Sequence, residues 1–356
     1  MIDSVSNRGL VSIDILRGFA ATGVFFYHQH IGSLLAKTTG WTFFNETDNF
    51  GATYAVPLFF LLSGFCIHLP NIKHVKKDQA LPLTNYFKRR FIRIYPPYLA
   101  ALVFSIIADI LTVNNYTVNA RDVLAHVFLL QGFLDPYFNT INLVLWTISI
   151  EIALYLLYPL FYYVRLKTSL KTALAIVFLI SAISIASVKF FGFHSKVSFF
   201  FVPNIWFAWC AGAFIAESLI LTPHELKKPF YKFVYAVILL CFFVLGKANL
   251  ALIQYPFLIL MWTAPLIIAL SFEHKLTNNN SIAIRLLTCL GLSSYSLYLF
   301  HVPLIALKNY FVHLVIPFHL QKPALLLGVL VIPIATWFCY QLVERPFMRK
   351  KTAVLR

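Results

Sequence analysis

The first apolar segment of the chain carries three ionisable side chains, Asp14, Arg17 and His28. Ionisable groups inside a membrane span are costly, so they usually serve a function there. Eleven residues of helix turn through about 1,100°, which places Arg17 and His28 within roughly 20° on one face and about 16 Å apart along the axis. Asp14 is three residues from Arg17 and can form a structural ion pair with it. The segment predicts this pair near one membrane surface and a proton acceptor, His28, toward the other. The simpler interpretation is helix-end charges plus a histidine in a bundle core.

Two further ionisable residues are expected at the depth of His28. Counting along their apolar segments places Glu151 in the outer half of one span and His301 just past the middle of another. A carboxylate beside a histidine holds its tautomer and supports its cationic form, as a general base requires. We therefore expect Glu151 to orient or charge His28. The alternatives are a snorkelling residue at a helix start for Glu151 and a hydrogen-bonded bundle histidine for His301.

A second polar group is expected in the inner half of the membrane. It comprises Arg17, Ser63, Arg90 and Arg93, and the last two lie three residues apart on one helix face. Guanidinium groups bind phosphates bidentately, so the group indicates a site for a phosphorylated ligand. The alternative is the usual excess of basic residues at the cytoplasmic surface, together with anionic lipid headgroups. The chain has no GxxxxGK loop and gives no support to ATP hydrolysis.

The composition is that of a polytopic membrane protein. The chain has 356 residues, of which 60% are hydrophobic and only 12% are charged, whereas soluble domains have about 25% charged residues. The net charge of +16 comes from basic residues in short loops, so it does not indicate nucleic-acid binding. The cysteines have no paired spacing: they are Cys66, Cys210, Cys241, Cys289 and Cys339. We interpret them as buried apolar residues and expect neither disulfides nor a metal site.

Ten apolar runs are close to the length of about 20 residues that crosses a bilayer. They lie at 12–34, 51–69, 95–113, 144–164, 171–189, 199–220, 231–246, 250–271, 287–309 and 324–343. The sequence therefore predicts an all-α polytopic membrane protein with about ten transmembrane helices. Most of the 29 lysines and arginines fall on one side of this arrangement, which predicts cytoplasmic N- and C-termini. The apolar piece at 123–134 is too short to span and is expected to be interfacial or re-entrant. Outer-loop histidines such as His126 are expected to be solvated.

These groups together suggest acyl transfer from coenzyme A to a hydroxyl. The donor would bind at the basic inner side, and a histidine would take the hydroxyl proton as the oxygen attacks the thioester. A polar donor near the carbonyl would stabilise the oxyanion. The alternative is a transporter or flippase for a glycan or lipid-linked precursor, since buried charges also mark transport paths. Against this alternative, the chain shows no internal repeat of the kind that many transporters have.

Six motifs, in order along the chain, resemble those of acyltransferase family 3, the membrane O-acyltransferases of bacterial surface polysaccharides. They are IDILRGFAA with R-x10-H at Arg17 and His28, PLFFLLSGF at 57–65, RRFIRIYPPY at 89–98, LWTISIEIALYLLYPL at 145–160, SSYSLYLFHVPL at 293–304 and VERPF at 343–347. The resemblance covers roughly residues 10 to 348. The departures are mild: Thr147 stands where the family usually has serine, and Ile150 where valine is common.

The resemblance implies roles for individual residues. His28 would be the essential catalytic residue, as a general base or a transient acyl carrier, and Arg17 would be essential to the donor or to the organisation of the site. Arg90 and Arg93 would bind acyl-CoA at the inner face, with Ser63 beside them.

The resemblance also implies the reaction partners and the domain organisation. Trp146, Ser149 and His301 are expected to bind substrate. Acetyl-CoA is the expected co-substrate, with no permanently bound cofactor, and a glycan or lipid-linked sugar is the expected acceptor. We expect one acyltransferase domain over residues 1–356, without a C-terminal extracytoplasmic hydrolase-like domain, in a bacterial cytoplasmic membrane.

Overall fold

All secondary structure in the described part of the chain is helical. The computed structural model describes residues 10–348 except 194, 225, 227 and 249. The longer helices are α1 Val11–His28, α2 Ile31–Thr39, α3 Ala55–His68, α4 Leu83–Thr112, α5 Ala120–Val127, α6 Trp146–Lys167, α7 Leu170–Phe190, α8 Val202–Leu221, α9 Pro229–Lys247, α10 Ala251–Leu260, α11 Thr263–Ser271, α12 Ile282–Leu292, α13 Ser294–Val315 and α14 Phe318–Cys339. Shorter helices lie at Asn45–Asn49, Ile72–Lys76, Lys196–Phe199 and Glu273–Thr277, and single helical turns at Thr42–Phe44, Phe50–Tyr54, Leu69–Asn71, Gln131–Phe133, Asp135–Tyr137, Tyr340–Glu344 and Arg345–Phe347. The predicted all-α class is confirmed.

Among the described residues, nine helical segments are long and apolar enough to cross a membrane. They are Thr42–Lys76, Leu83–Thr112, Trp146–Lys167, Leu170–Phe190, Lys196–Leu221, Pro229–Lys247, Ala251–Ser271, Ser294–Val315 and Pro323–Phe347. Each corresponds to one of the ten predicted spans, and the protein is an all-α polytopic membrane protein. Helix α1, within the first predicted span, is not among the nine. The cytoplasmic placement of both termini stays a prediction.

The structure divides the first predicted span into two helices. Helix α1 ends at His28, and His30 takes a left-handed conformation with φ of 52° before α2 begins. The Asp48 carboxylate accepts hydrogen bonds from the backbone N–H groups of Gly32 and Ser33 at 2.8 and 2.9 Å. These N–H groups belong to the first turn of α2, which has no helical partners for them. The break was not predicted because its capping residue lies outside the apolar run.

Two other predicted boundaries differ from the observed helices. Helix α4 begins at Leu83, well before the predicted start at 95, and continues through Pro96 and Pro97. These prolines remove two helical N–H donors, but helix is still the arrangement that satisfies most backbone groups within a membrane. The predicted span at 287–309 is interrupted between α12 and α13, so that the spanning helix starts at Ser294.

The outer segment at 123–134 is confirmed to be shorter than a spanning helix, because α5 ends at Val127. The expectation that His126 is solvated is wrong. Its side chain is 0% exposed, and its Nδ1 lies 3.1 Å from Oδ1 of Asp122. Burial lowers the pKa of His126, and the neighbouring Asp122 opposes that shift only in part. The segment that contains α5 therefore buries His126 instead of exposing it to solvent.

The described chain forms two compact units. The first comprises residues through Arg17, Thr53–Leu83 and Ile150–Thr288, and the second Gly18–Ala52, Thr84–Ser149 and residues from Cys289 onward. In the first unit, α3 and α8 cross at very close range. A Cβ on Gly64 would lie 2.0 Å from the carbonyl oxygen of Trp209, and one on Gly212 would lie 2.2 Å from that of Leu61. Glycine at both positions is what permits the two helix backbones to touch.

A buried polar network joins the ends of three helices of the first unit. Glu217 of α8 accepts hydrogen bonds from Nε of Arg165 in α6 at 2.8 Å and contacts Nε2 of His68 in α3 at 2.9 Å. The other nitrogen of His68 lies 3.1 Å from the hydroxyl of Tyr158. Because Glu217 is 3% exposed, its charge depends on these partners, and the network fixes the three helix ends together.

In the second unit, α13 packs along α14. Asn142, in the segment before α6, is 2% exposed. Its Nδ2 donates to Oγ of Ser105 in α4 at 3.0 Å and to the carbonyl oxygen of Leu299 in α13 at 3.1 Å. One side chain thus joins the segment before α6 to both α4 and α13.

Candidate active site

His28 and His301 lie against each other in the second unit. Nε2 of His301 is 3.1 Å from Nδ1 of His28, and the ring centroids are 5.0 Å apart. His301 is completely buried, whereas His28 is partly exposed. Two of the three residues expected at one depth are therefore in direct contact, although 273 positions separate them in the sequence.

The hydrogen bonds of this pair determine which nitrogens carry protons. Nδ1 of His301 lies 2.9 Å from the carbonyl oxygens of Leu297 and Tyr298. Carbonyl oxygens only accept, so Nδ1 of the neutral ring carries the proton and Nε2 is the acceptor. Nδ1 of His28 faces that acceptor and the carbonyl oxygen of Val24 at 2.9 Å, so it too must donate. Nε2 of His28 is left as the basic atom, which is the arrangement of a general base whose tautomer a neighbour sets.

Distant carboxylates cap the helices that carry these two histidines. In the first unit, Glu273 accepts hydrogen bonds from the backbone N–H groups of Val11 and Ser12 at 2.8 and 2.9 Å, at the start of α1. In the second unit, Glu344 accepts from the backbone N–H and the hydroxyl of Ser296 at 3.1 and 2.6 Å, at the start of α13. A helix N-terminus has unpaired N–H groups and favours negative charge. Glu344 is the glutamate of the VERPF motif, so one structural function of this motif is to cap α13.

Glu151 lies in the first unit. It accepts hydrogen bonds from the hydroxyls of Ser63 and Tyr155, and Ser63 Oγ in turn accepts from the indole Nε1 of Trp209 at 3.0 Å. Glu151 and Ser63, both predicted as site residues, are therefore in direct contact. The predicted action of Glu151 on His28 stays a prediction.

Arg17 also lies in the first unit, where the carboxylates of Asp14 and Glu151 both attract its charge. The ion pair of Arg17 with Asp14 that their spacing predicts stays a prediction. The attraction to Glu151 differs from the sequence prediction, which places Arg17 in the inner half of the membrane and Glu151 in the outer half. Arg17, Ser63 and Glu151 therefore form one cluster.

Arg90 and Arg93 are half-exposed on α4, whereas Lys88 and Arg89, immediately before them, are exposed. The next turn of the same face is buried at Ile94. Tyr86, one turn before Arg90, is buried as well, so the two arginines are partly accessible positions on a helix that packs against the protein on both sides of them. Their binding of acyl-CoA stays a prediction.

Trp146 and Ser149 pack against the outer segment of the second unit. Trp146 stacks on Phe138 with the ring centroids 4.8 Å apart. Ser149 is 1% exposed, and its Oγ accepts a hydrogen bond from the backbone N–H of Gly132 at 3.4 Å. Both side chains therefore hold this segment on α6. Substrate binding by Trp146, Ser149 and His301 stays a prediction.

Several residues of these clusters were missed by the sequence analysis. Tyr155 lies one helical turn after Glu151, a spacing that could have revealed it. Trp209 and Glu273 have no such signal, because their partners are far away along the chain. Within the described ranges, no group of three or more His, Cys, Asp or Glu side chains is placed to hold a metal ion.

A family model described as "Acyltransferase domain" (Acyl_transf_3) matches residues 10–344. The chain belongs to this acyltransferase family. The family predicted from the six motifs is thereby confirmed over nearly the whole chain.

This acyltransferase is similar to two relatives at modest identity. It is 26% identical over 374 residues to "O-acetyltransferase OatA" of Staphylococcus aureus, a match that covers 97% of the chain and 58% of the relative. It is 28% identical over 331 residues to "Peptidoglycan O-acetyltransferase OatA" of Listeria monocytogenes, covering 85% of the chain and 50% of the relative. The acyltransferase chain thus spans little more than half the length of these relatives. No solved structure matches it.

Proposed function

We propose that this acyltransferase is an integral membrane O-acetyltransferase that moves an acetyl group from acetyl-CoA to a hydroxyl of a cell-surface or lipid-linked glycan. Membership of the acyltransferase family and similarity to two proteins named O-acetyltransferases support the acetyl group and the oxygen acceptor. The observation that carries the proposal is the basic Nε2 of His28, whose tautomer is set by two acceptors, His301 and the carbonyl oxygen of Val24. Such a nitrogen is what proton removal from a hydroxyl requires.

The chemistry follows from the proton positions. Nε2 of His28 takes the proton of the acceptor hydroxyl while the hydroxyl oxygen attacks the thioester carbonyl. The carbon–sulfur bond then breaks, and the coenzyme A sulfur takes the proton back from the His28 imidazolium, which yields the ester and the free thiol. Throughout, the Nδ1–H of His28 donates to Nε2 of His301, so the positive charge on His28 has a partner in a buried setting.

The donor is assigned to the basic residues. Arg90 and Arg93 are half-exposed on α4, so their guanidinium groups are accessible to the phosphates of coenzyme A. Arg17 and Ser63 are assigned to the organisation of the donor site. The orientation predicted from the basic loops puts the donor in the cytoplasm and the acceptor outside, across a bacterial cytoplasmic membrane.

The test is acetyl transfer by membranes that contain the wild type, His28→Ala or His313→Ala. His313 lies on the same helix as His301 but is exposed, so it is a matched histidine control. With labelled acetyl-CoA, we expect label on a glycan fraction and release of coenzyme A for the wild type and for His313→Ala. His28→Ala should reduce both by about 10²–10⁴-fold, the usual contribution of a general base, while its folded protein stays in the membrane. Full activity of His28→Ala would remove His28 from the mechanism. Absence of coenzyme A release from the wild type would favour a transporter.

A further inference from the structure

Lys308 and Gln29 form a second contact beside the two histidines. Lys308 follows His301 by seven residues on α13, which is about 700° of helix and so nearly the same face, about 10 Å further along. Gln29 directly follows His28. Nζ of Lys308 donates a hydrogen bond to Oε1 of Gln29 at 2.6 Å. The two segments that meet at the histidine pair therefore meet again through an ammonium group.

The stem of Lys308 is held by the neighbouring helix. A Cβ placed on Gly328 of α14 would lie 2.7 Å from Cδ and 3.0 Å from Cγ of Lys308. Any other residue at position 328 would displace this side chain, whose own contact with α14 is made through its methylene groups. The position of the ammonium is therefore set from two sides, by Gly328 under the stem and by Gln29 at the amine.

The charge of Lys308 has no carboxylate partner among the described residues. The ion pairs of His68, His126 and Arg165 do not include Lys308, and the hydrogen-bond acceptor of Lys308 is a neutral amide. An ammonium group has three N–H donors, so two remain for a ligand.

Resting on the proposed function, we propose that Lys308 is the anion-binding group of an acceptor site next to His28 and His301, and that it takes an oxyanion of the glycan substrate. The oxyanion is a carboxylate on the sugar or a phosphate of its lipid carrier. A charge-assisted hydrogen bond to such a group is about twice as strong as a neutral one. Lys308 would thereby select anionic acceptors and fix them relative to the base.

Binding, measured without turnover, tests this proposal separately from the enzymatic one. The probes are an oligosaccharide that contains glucuronic acid, the same oligosaccharide with its carboxylates converted to amides, and a polyprenyl diphosphate with its neutral polyprenol. The proteins are the wild type, Lys308→Met, Lys308→Arg and Lys37→Met, all purified in a zwitterionic detergent. Lys37 is exposed in α2 and controls for the loss of one positive charge.

We expect Lys308→Met to weaken binding of an anionic probe by about tenfold, the worth of about 1.4 kcal/mol. Binding of the neutral counterpart should be unchanged, Lys308→Arg should retain most of the affinity, and Lys37→Met should bind as the wild type does. An effect confined to the acidic sugar identifies the carboxylate, and one confined to the diphosphate identifies the carrier. The proposal is wrong if Lys308→Met changes anionic and neutral probes equally, or if neither anion depends on Lys308. The binding measurement uses no acetyl-CoA, so it can be interpreted even if the transfer assay fails.

Discussion

At the scale of single residues, backbone carbonyl oxygens determine which nitrogens of His28 and His301 carry protons. Two carbonyl oxygens fix the proton of His301 on Nδ1, and the acceptor that this leaves fixes the proton of His28 on its own Nδ1. We therefore expect His301, which the sequence predicts as a substrate-binding residue, to act as a positioning residue for His28.

Replacement of His301 tests that role. His301→Leu removes one of the two acceptors of the Nδ1–H of His28 and leaves the carbonyl oxygen of Val24. The ring is then held less firmly, and we expect kcat for acetyl transfer to fall by up to about 100-fold, the lower end of what proton-transfer catalysis contributes. His301→Gln keeps an oxygen acceptor and should recover part of the rate. The KM values for both substrates should change little, and a variant whose loss lies mainly in KM would return His301 to substrate binding.

The arginines of α4 give a second prediction at this scale. Arg90→Ala combined with Arg93→Ala should raise the KM for acetyl-CoA by about 10–100-fold, since a hydrogen bond to a charged group contributes about 1.5–3 kcal/mol. The maximal rate should change less. Lys88→Ala combined with Arg89→Ala removes two exposed charges from the same helix and serves as the control. Equal effects of the two double variants would indicate a general electrostatic or topological role.

At the scale of elements, carboxylates from distant segments hold helix starts in place. Glu273 caps α1 and Glu344 caps α13, and these are the helices whose histidines meet. Within a membrane protein such caps matter more than usual, because no water replaces a missing acceptor at a buried N-terminus. Within the second unit, we expect the position of His301 on α13 to depend on Glu344, which touches neither histidine ring.

Glu344→Ala should destabilise the protein by about 1–3 kcal/mol, because it leaves two donors of Ser296 buried without an acceptor. We expect lower thermal stability in detergent together with reduced acetyl transfer. Glu344→Gln retains an acceptor oxygen and should lose less. Glu46→Ala, which removes an exposed carboxylate, should match the wild type. If Glu344→Ala proves as stable as Glu46→Ala, the cap does not stabilise α13.

At the scale of the whole molecule, the sidedness of the chain determines where donor and acceptor bind. Nine described segments are able to span a membrane, and the orientation rests on the distribution of basic residues. The break after α1 leaves α2 as a separate helix, so the predicted first crossing of the bilayer depends on the 18 residues of α1.

Labelling with a membrane-impermeant maleimide measures that topology in a cysteine-free background. The exposed residues Lys37 and Lys76 flank a predicted span. We expect Lys37→Cys to react in intact cells and Lys76→Cys to react only after permeabilisation. An epitope tag at the amino terminus should behave as Lys76→Cys does, because α1 is predicted to cross. A tag that is accessible in intact cells would show that the amino terminus lies outside, and the predicted crossing of α1 and the predicted cytoplasmic donor site would then be wrong.

The sequence by itself determined the class of the protein and the positions of most helices, and it predicted several residues of the candidate site. Length, hydropathy and helical spacing are local properties, and they sufficed to place Arg17 and His28 on one helix and Arg90 and Arg93 on one face. Only the tertiary structure decided that His301 meets His28, that Glu344 caps α13, that Lys308 turns to Gln29 and that His126 is buried. These contacts join residues far apart along the chain, and hydrogen-bond partners of that kind are selected by packing and by the need to satisfy buried polar groups.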